Sequence, residues 1–205
     1  MKGDIYIISA PSGTGKSTII RRLLKSVSGL FFSISYTTRP PRAKEIHGKD
    51  YFFISESEFT DLIKEDAFLE FAKVHDYHYG TAKEQVMPLI DKGFDVILDI
   101  DVQGTLKVKQ SNPVAISIFM LPPSGDELRK RLDRRHANSE DEKKLRLENA
   151  KNELLCWRFY DYLVVNQFIE QTVDYMKSII IANRCRRSKQ EDYFSSIVEP
   201  IISSF

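Results

Sequence analysis

Near the start of the chain, Ala10-Pro11-Ser12-Gly13-Thr14-Gly15-Lys16-Ser17 combines the residue types that hold a polyphosphate. Gly13 and Gly15 let successive backbone N–H groups converge on phosphate oxygens, and a helix starting here adds the positive end of its dipole. Lys16 is placed to reach the β- and γ-phosphates and the Ser17 hydroxyl to hold Mg²⁺. The triphosphate set is therefore Ser12, Gly13, Thr14, Gly15, Lys16, Ser17 and Thr18. The leading glycine of the usual phosphate-loop pattern is Ala10 here. A plain Gly/Ser-rich turn is the simpler account, but Gly-Lys-Ser directly after the apolar run Ile5-Tyr6-Ile7-Ile8 argues against it.

A phosphate loop does not say what becomes of the nucleotide. Transfer of the γ-phosphoryl group to a small acceptor, a GTPase switch, and a binding module without chemistry all remain. Asp101-Val102-Gln103-Gly104 fits the D-x-x-G of switch proteins, yet no N-K-x-D or T-K-x-D follows to read guanine in the triphosphate. That disfavours the switch. An acceptor side is visible in Ser35-Tyr36-Thr37-Thr38-Arg39-Pro40-Pro41-Arg42, where two arginines stiffened by prolines make a phosphate clamp. Gly48-Lys49-Asp50-Tyr51, Phe68-Leu69-Glu70-Phe71 and Tyr79-Gly80-Thr81 come next. Singly, each has a bland explanation: Tyr51 and Tyr79 as core-edge aromatics, Glu70 as a surface carboxylate, Arg39 and Arg42 as solvated loop charges.

Taken in order, with Leu98-Asp99-Ile100-Asp101-Val102-Gln103-Gly104, the set resembles the guanylate kinase family from the phosphate loop to the Asn166 region. The resemblance implies transfer of the γ-phosphoryl group of ATP to GMP, giving ADP and GDP in purine nucleotide metabolism. It implies an α/β fold, with a P-loop NTPase core whose parallel sheet is flanked by helices. The core would comprise 1–34, 82–125 and 150–205, with an inserted GMP-binding subdomain at 35–81 and a mobile lid at 126–149.

The residues make chemical sense of that activity. Guanine presents two neighbouring donors, N1–H and the 2-amino group, and the Glu70 carboxylate accepts both. Ser35 and Thr81 carry hydroxyls that can donate to O6. Adenine presents the opposite pattern and would leave Glu70 unpaired, which is costly in a buried site. Arg39, Arg42, Tyr51 and Tyr79 are expected on the GMP phosphate. Asp99 is assigned to GMP and Asp101 to Mg²⁺ through water, with capping of the next helix as the plainer role. The resemblance also carries Arg135 and Arg146 across as the lid's phosphate-clamping pair, with Arg131 beside ATP and Asn166 near the adenine. Arg134-Arg135-His136 stands where the family usually has glycine, and Gln167 where it commonly has an acidic residue. Catalysis is then positioning and charge neutralisation by Lys16, Arg39, Arg135 and Arg146 with Mg²⁺. The acceptor phosphate is already an ionised nucleophile and needs no base. The alternatives are a non-catalytic guanylate-kinase-like interaction module or another P-loop nucleoside monophosphate kinase.

The elements that must position these groups follow from periodicity. Ile5 to Ser9, Phe31 to Tyr36, Phe94 to Asp99, Val114 to Leu121 and Asp161 to Val165 read as strands, alternating with helical patterns as a parallel sheet requires. Ser17 to Leu24 reads as the helix after the phosphate loop. Capping boxes at Ser55/Glu58, Thr81/Glu84, Ser124/Glu127 and Ser139/Glu142 mark helix starts. Ile169, Val173, Met176 and Ile180 form one stripe of a C-terminal helix. Arg184, Arg186, Arg187 and Lys189 beyond it are expected at a solvated helix end. The Ser35–Tyr79 insertion shows no long buried strand.

Composition bounds the rest. The 205 residues, with 42% hydrophobic and 29% charged side chains, suit one globular domain. Thirty basic and 29 acidic residues leave a formal charge of +1, which argues against a nucleic-acid coat or a polybasic membrane anchor. The two cysteines, Cys156 and Cys185, have no metal-binding spacing and fit reduced thiols in the cytoplasm. The expected partners are ATP and GMP, with no nucleic acid and no membrane; oligomeric state stays open.

Overall fold

The structure, a computed structural model, describes residues 2–74, 76–133 and 140–205. Strand β1 (Ile5–Ser9) lies at the centre of a five-stranded parallel sheet. Its partners are β7 (Asp95–Asp99) on one side and β8 (Ile116–Leu121) on the other. Outside them lie β2 (Leu30–Phe32) and β9 (Tyr162–Val165), giving the order β2-β7-β1-β8-β9.

Strand side chains alternate between faces, and β1 is apolar on both. Tyr6 and Ile8 join one core with Ile19, Ile20 and Leu23 of α1 (Lys16–Ser26) and Val173, Met176 and Ile180 of α7 (Ile169–Arg184). Ile5 and Ile7 join the other, with Val86 and Ile90 of α3 (Lys83–Asp91) and Val108 of α4 (Val102–Ser111). Burial of such a side chain contributes on the order of 2 kcal/mol, so both helix layers are anchored through one strand. The stripe read from the sequence at 169–180 is the one that packs.

The insertion is a second sheet, not a collection of loops. It comprises β3 (Tyr36–Thr37), β4 (Phe52–Phe53), β5 (Phe68–Val74) and β6 (Tyr77–Ala82), in the order β4-β3-β6-β5. The seven-residue β5 corrects the expectation of no long strand. Its buried residues Phe68, Glu70 and Ala72 include a carboxylate, which hid the pattern from an apolar count. Helix α2 (Glu56–Lys64) covers this sheet with Phe59, its start fixed by the expected Ser55/Glu58 capping box.

Three further expectations are corrected. The run Phe31–Tyr36 is split: β2 ends at Phe32, and Tyr36 opens β3 in the other sheet. Thr81 does not cap α3, because it lies in β6, Ala82 is the cap residue and no side chain caps there. The basic cluster is not simply solvated. Arg184 Nε donates to the buried Asp95 carboxylate at 2.7 Å, and Lys189 pairs with Asp4. These pairs pin the end of α7 and the start of α8 (Arg187–Ile202), a helix the sequence reading did not separate from α7. At the other pole, α5 (Gly125–Asp133) starts with the Glu127 N–H donating to Ser124 Oγ. Leu128 and Leu132 of α5 pack against Ala150 of α6 (Glu140–Leu155). The Ser139/Glu142 box falls partly outside the described residues.

Candidate active site

The carboxyl ends of β1 and β7 lie side by side, Ile8 pairing with Asp99. Each opens into a ligand-facing loop, as open parallel sheets do. After β1, Gly13 and Gly15 adopt φ of +87° and +97°. Only glycine takes this left-handed conformation without strain. Gly15 is also the cap residue of α1 and no side chain caps that end, which leaves the helix N-terminus facing the loop. Lys16 Nζ lies 2.5 Å from Asp99 Oδ1, so the sheet register brings together the two charges expected on opposite substrates.

The loop is braced from below. Thr14 Oγ1 donates to Pro11 O at 2.7 Å. The Thr14 carbonyl accepts from Asn166 Nδ2 at 2.7 Å and from an Arg131 guanidinium nitrogen at 3.1 Å. Asn166 is 4% exposed, and its Oδ1 accepts from Thr172 Oγ1 at 3.1 Å. Asn166, expected near the adenine, thus has both ends of its amide engaged under the phosphate loop. Arg131 also donates through Nε to Glu127 at 2.7 Å, linking α5 to the loop.

A cavity of about 370 Å³ opens above this loop. The phosphate-loop residues Ser12, Gly13, Gly15, Lys16 and Ser17 line it together with Ser35, Tyr51, Glu70 and Tyr79 and with Asp99 and Asp101. Thr18 is exposed on α1 just beyond the loop. A register shift between Phe68 and Glu70 sets Glu70 opposite Thr81 on β6. Thr81 Oγ1 donates to Glu70 Oε1 at 2.7 Å, with Thr81 1% and Glu70 6% exposed. Thr81, expected as a donor to the base, gives its hydrogen to Glu70 here, and Ser35, the other candidate hydroxyl, lines the cavity. Burial pushes the Glu70 carboxyl up to about 7, opposed by the Thr81 hydrogen bond and aided by the charge of Asp101.

Arg39 is buried and stacks over Tyr51, its guanidinium carbon 5.5 Å from the ring centre. One of its terminal nitrogens donates to Glu45 at 2.9 Å, while its buried Nε has no partner. The Tyr51 and Tyr79 rings meet edge-on at 5.9 Å. Burial, then the charge of Asp99, pushes the Tyr51 phenol up to about 12, so it stays a donor at neutral pH. Arg42 is exposed, and its backbone N–H donates to Glu45 at 2.8 Å. Glu45 thus touches both clamp arginines. The sequence reading missed it, although its place three residues after Arg42 was the available signal.

Asp101 serves as the cap of α4, its Oδ1 accepting from the Gly104 N–H at 2.8 Å. The plainer role suggested for it is therefore present, with its other oxygen beyond that bond. Ser9, Thr105 and Tyr160 form a buried hydroxyl network beneath the Asp99–Asp101 segment. Ser9 Oγ lies 2.7 Å from Ile100 O and 2.8 Å from Thr105 Oγ1, to which Tyr160 donates at 3.2 Å. Glu153 of α6 also lines the cavity, its carboxyl raised by burial against the opposing charge of Lys16. Nothing in its charge-dense sequence context distinguished it. Arg146 is half-buried on α6; Arg134 and Arg135 lie outside the described residues.

The arrangement can hold two phosphorylated ligands end to end, one on the glycine loop and one between the tyrosines and the buried carboxylate. Comparison with known proteins agrees with that chemistry. A family model described as guanylate kinase matches residues 2–183. The chain is 47% identical over 198 residues to the guanylate kinase of Caldanaerobacter subterraneus subsp. tengcongensis, covering 97% of this chain and 96% of that one. It is 44% identical over 192 residues to the guanylate kinase of Thermotoga maritima, covering 94% and 93%. The crystal structure of guanylate kinase from Anaplasma phagocytophilum superposes with a TM-score of 0.76 at 34% identity, covering 90% of this chain and 88% of that one.

Proposed function

The chain belongs to the guanylate kinase family, and we propose that it moves the γ-phosphoryl group of ATP to GMP through the residues that face each other across its central cavity. The observation that carries this reading is the shared cavity itself. A glycine-rich phosphate loop with Lys16 faces a buried carboxylate, Glu70, and two phenols within one enclosure. Lys16 neutralises charge on the transferring group and Arg39 binds the acceptor phosphate through its buried, unpartnered Nε. Glu70, held by Thr81, accepts from N1–H and the 2-amino group of guanine. Arg42, Tyr51 and Tyr79 complete the acceptor's phosphate site, and Asp99 passes from Lys16 to the acceptor once the triphosphate engages the lysine.

Mg²⁺ belongs to this reading. It favours hard oxygen donors, few protein ligands and retained water, and the donors beside the phosphate loop are the Ser17 hydroxyl and the Asp101 carboxylate. When bound with ATP it withdraws charge from the β- and γ-phosphates. No group of three or more His, Cys, Asp or Glu side chains among the described residues forms a metal cage of its own, which suits an ion that arrives with its nucleotide. Residues 35–81 act as the GMP-binding unit and 126–149 as the lid. Arg135 and Arg146 close on the phosphates, and closure keeps water from the phosphoryl group. No helix among the described residues is long and apolar enough to cross a membrane, and we place the enzyme in the cytoplasm. A coupled assay of ADP production with GMP, AMP, CMP and UMP offered in turn tests the reading. Turnover should be confined largely to GMP; equal rates with AMP would refute it.

A further inference from the structure

Gly104 is the third residue of α4, and nothing about its backbone calls for glycine. The positive-φ glycines are Gly13, Gly15, Gly29, Gly48 and Gly93, and Gly104 is not among them. Inside a helix, glycine is less favourable than alanine because it gives up more backbone freedom on folding. Its presence therefore needs a cause in packing. A Cβ added at 104 would lie 2.8 Å from Glu70 Oε2, 3.2 Å from Glu70 Cδ and 3.3 Å from Ile100 Cβ. The first of these distances is a clash, so the carboxylate occupies the space that a side chain at 104 would fill.

Glu70 has little freedom to step aside. It is 6% exposed, and its other oxygen is held by Thr81 at 2.7 Å. Helix α4 is tied to β5 one residue further along, where Lys107 Nζ bonds the Phe71 carbonyl. Gly104 itself is fixed by its N–H bond to Asp101. The carboxylate is thus clamped between the Thr81 hydroxyl and the bare backbone of α4.

We infer that Gly104 is a specificity-determining positioning residue: its missing side chain sets where the Glu70 carboxylate stands, and so where a guanine base can place its two donors. The inference rests on the reading that Glu70 recognises guanine. A side chain at 104 displaces the carboxylate from its place against Thr81, and none of the three nearest contacts of that Cβ is with the phosphate loop. A group displaced by even about 1 Å loses much of a directed hydrogen bond, and discrimination that depends on it falls with it.

The test is Gly104→Ala, with Glu70→Gln alongside, each assayed with GMP, with inosine monophosphate (which lacks the 2-amino group) and across an ATP series. Gly104→Ala should raise the KM for GMP by at least about tenfold, leave the KM for ATP within about threefold and narrow the preference for GMP over inosine monophosphate. Its Tm should fall, since the clash and the lost Thr81 hydrogen bond to a buried carboxylate outweigh alanine's better helix propensity. A GMP KM within about threefold of the parent, or equal rises for ATP and GMP, overturns the proposal. If Glu70→Gln also leaves the base preference intact, the reading of Glu70 is at fault. If Glu70→Gln abolishes the preference and Gly104→Ala does not, only the role of Gly104 fails. Should Gly104→Ala not fold, Glu70→Ala/Gly104→Ala decides: recovery of a cooperative melt supports the clash with Glu70, and failure of both to fold refutes it.

Discussion

Glu70 provides a pH test that the geometry makes quantitative. In the free protein its carboxyl is raised from 4.5 to about 7, chiefly by burial, with Asp101 adding repulsion and Thr81 and Lys107 opposing it. Guanine's N1–H and 2-amino group need the ionised form, so below pH 7 GMP must displace a proton to bind. With a carboxyl at about 7, the Kd for GMP should weaken roughly tenfold between a plateau above pH 8 and pH 6. The GMP phosphate also gains a proton near pH 6, so the Glu70→Gln variant serves as the reference that isolates Glu70. Titration calorimetry in two buffers of different ionisation enthalpy reads the proton release directly. Release of nearly one proton at pH 6 in the parent, and much less in Glu70→Gln, is expected. Identical pH profiles for the two proteins would refute the argument.

The same group makes a stability statement of opposite sign. A carboxyl raised in the folded state is penalised when ionised, so stability is lost as pH rises from about 4.5 and the cost is complete above about 7. A rise of this size corresponds to at most roughly 3 kcal/mol. Ligand-free Glu70→Gln should therefore melt higher than the parent at pH 8 and close to it at pH 4.5. The buried carboxylate trades stability for base recognition.

Three further outcomes follow from the phosphate side. Lys16→Ala should lower kcat by at least about 10²-fold, because charge neutralisation at the transferring group is lost. Its Kd for GMP should stay within about threefold, since Lys16 touches the acceptor site only through Asp99; calorimetry checks it. Asn166→Ala removes one of the two donors on the Thr14 carbonyl, at a cost of about 0.5–1.5 kcal/mol because Arg131 still donates to it. Steady-state kinetics should show this as a raised KM for ATP with little change for GMP. Among the clustered arginines of the 126–149 segment, the family resemblance selects Arg135 and not Arg134 as the phosphate-contacting group. Arg135→Ala should lose at least about 10²-fold in kcat and Arg134→Ala less than about threefold; saturating rates of both variants decide the ranking.

The sequence revealed the groups meant to touch ligands more clearly than the groups that hold them. A phosphate loop needs glycine where φ is positive and lysine where negative charge concentrates, so few residue types can stand there, and Gly13, Gly15 and Lys16 could be read directly. The central strands were equally legible, because a parallel strand covered on both faces is apolar throughout, as Ile5 to Ile8 are. The second sheet was not. Its longest strand carries Glu70 on the buried side, and two of its strands, β3 and β4, are two residues each. Of these two short strands β4 is at the sheet edge and β3 lies inside it, and periodicity has little to count in either case.

Asn166 and Thr81 show why a residue's membership of a site could be read while its task could not. Each was expected against a base, and in the structure each holds another part of the site: Asn166 grips the Thr14 carbonyl and Thr81 the Glu70 carboxylate. An amide or a hydroxyl can donate to a nucleotide or to a neighbouring chain equally well, and sequence order does not say which lies closer. Position decides it. At 4% and 1% exposure these two side chains are buried against their partners, whereas Lys16, Tyr51, Asp99 and the equally buried Glu70 line the cavity. The site is therefore two-layered: charged and phenolic groups line the cavity, and Asn166 and Thr81, neutral hydrogen-bonding groups, fix the phosphate loop and Glu70 from behind. These two add no buried charge of their own, so the charge of the site stays concentrated on groups such as Lys16 and Asp99, paired at 2.5 Å in the cavity lining.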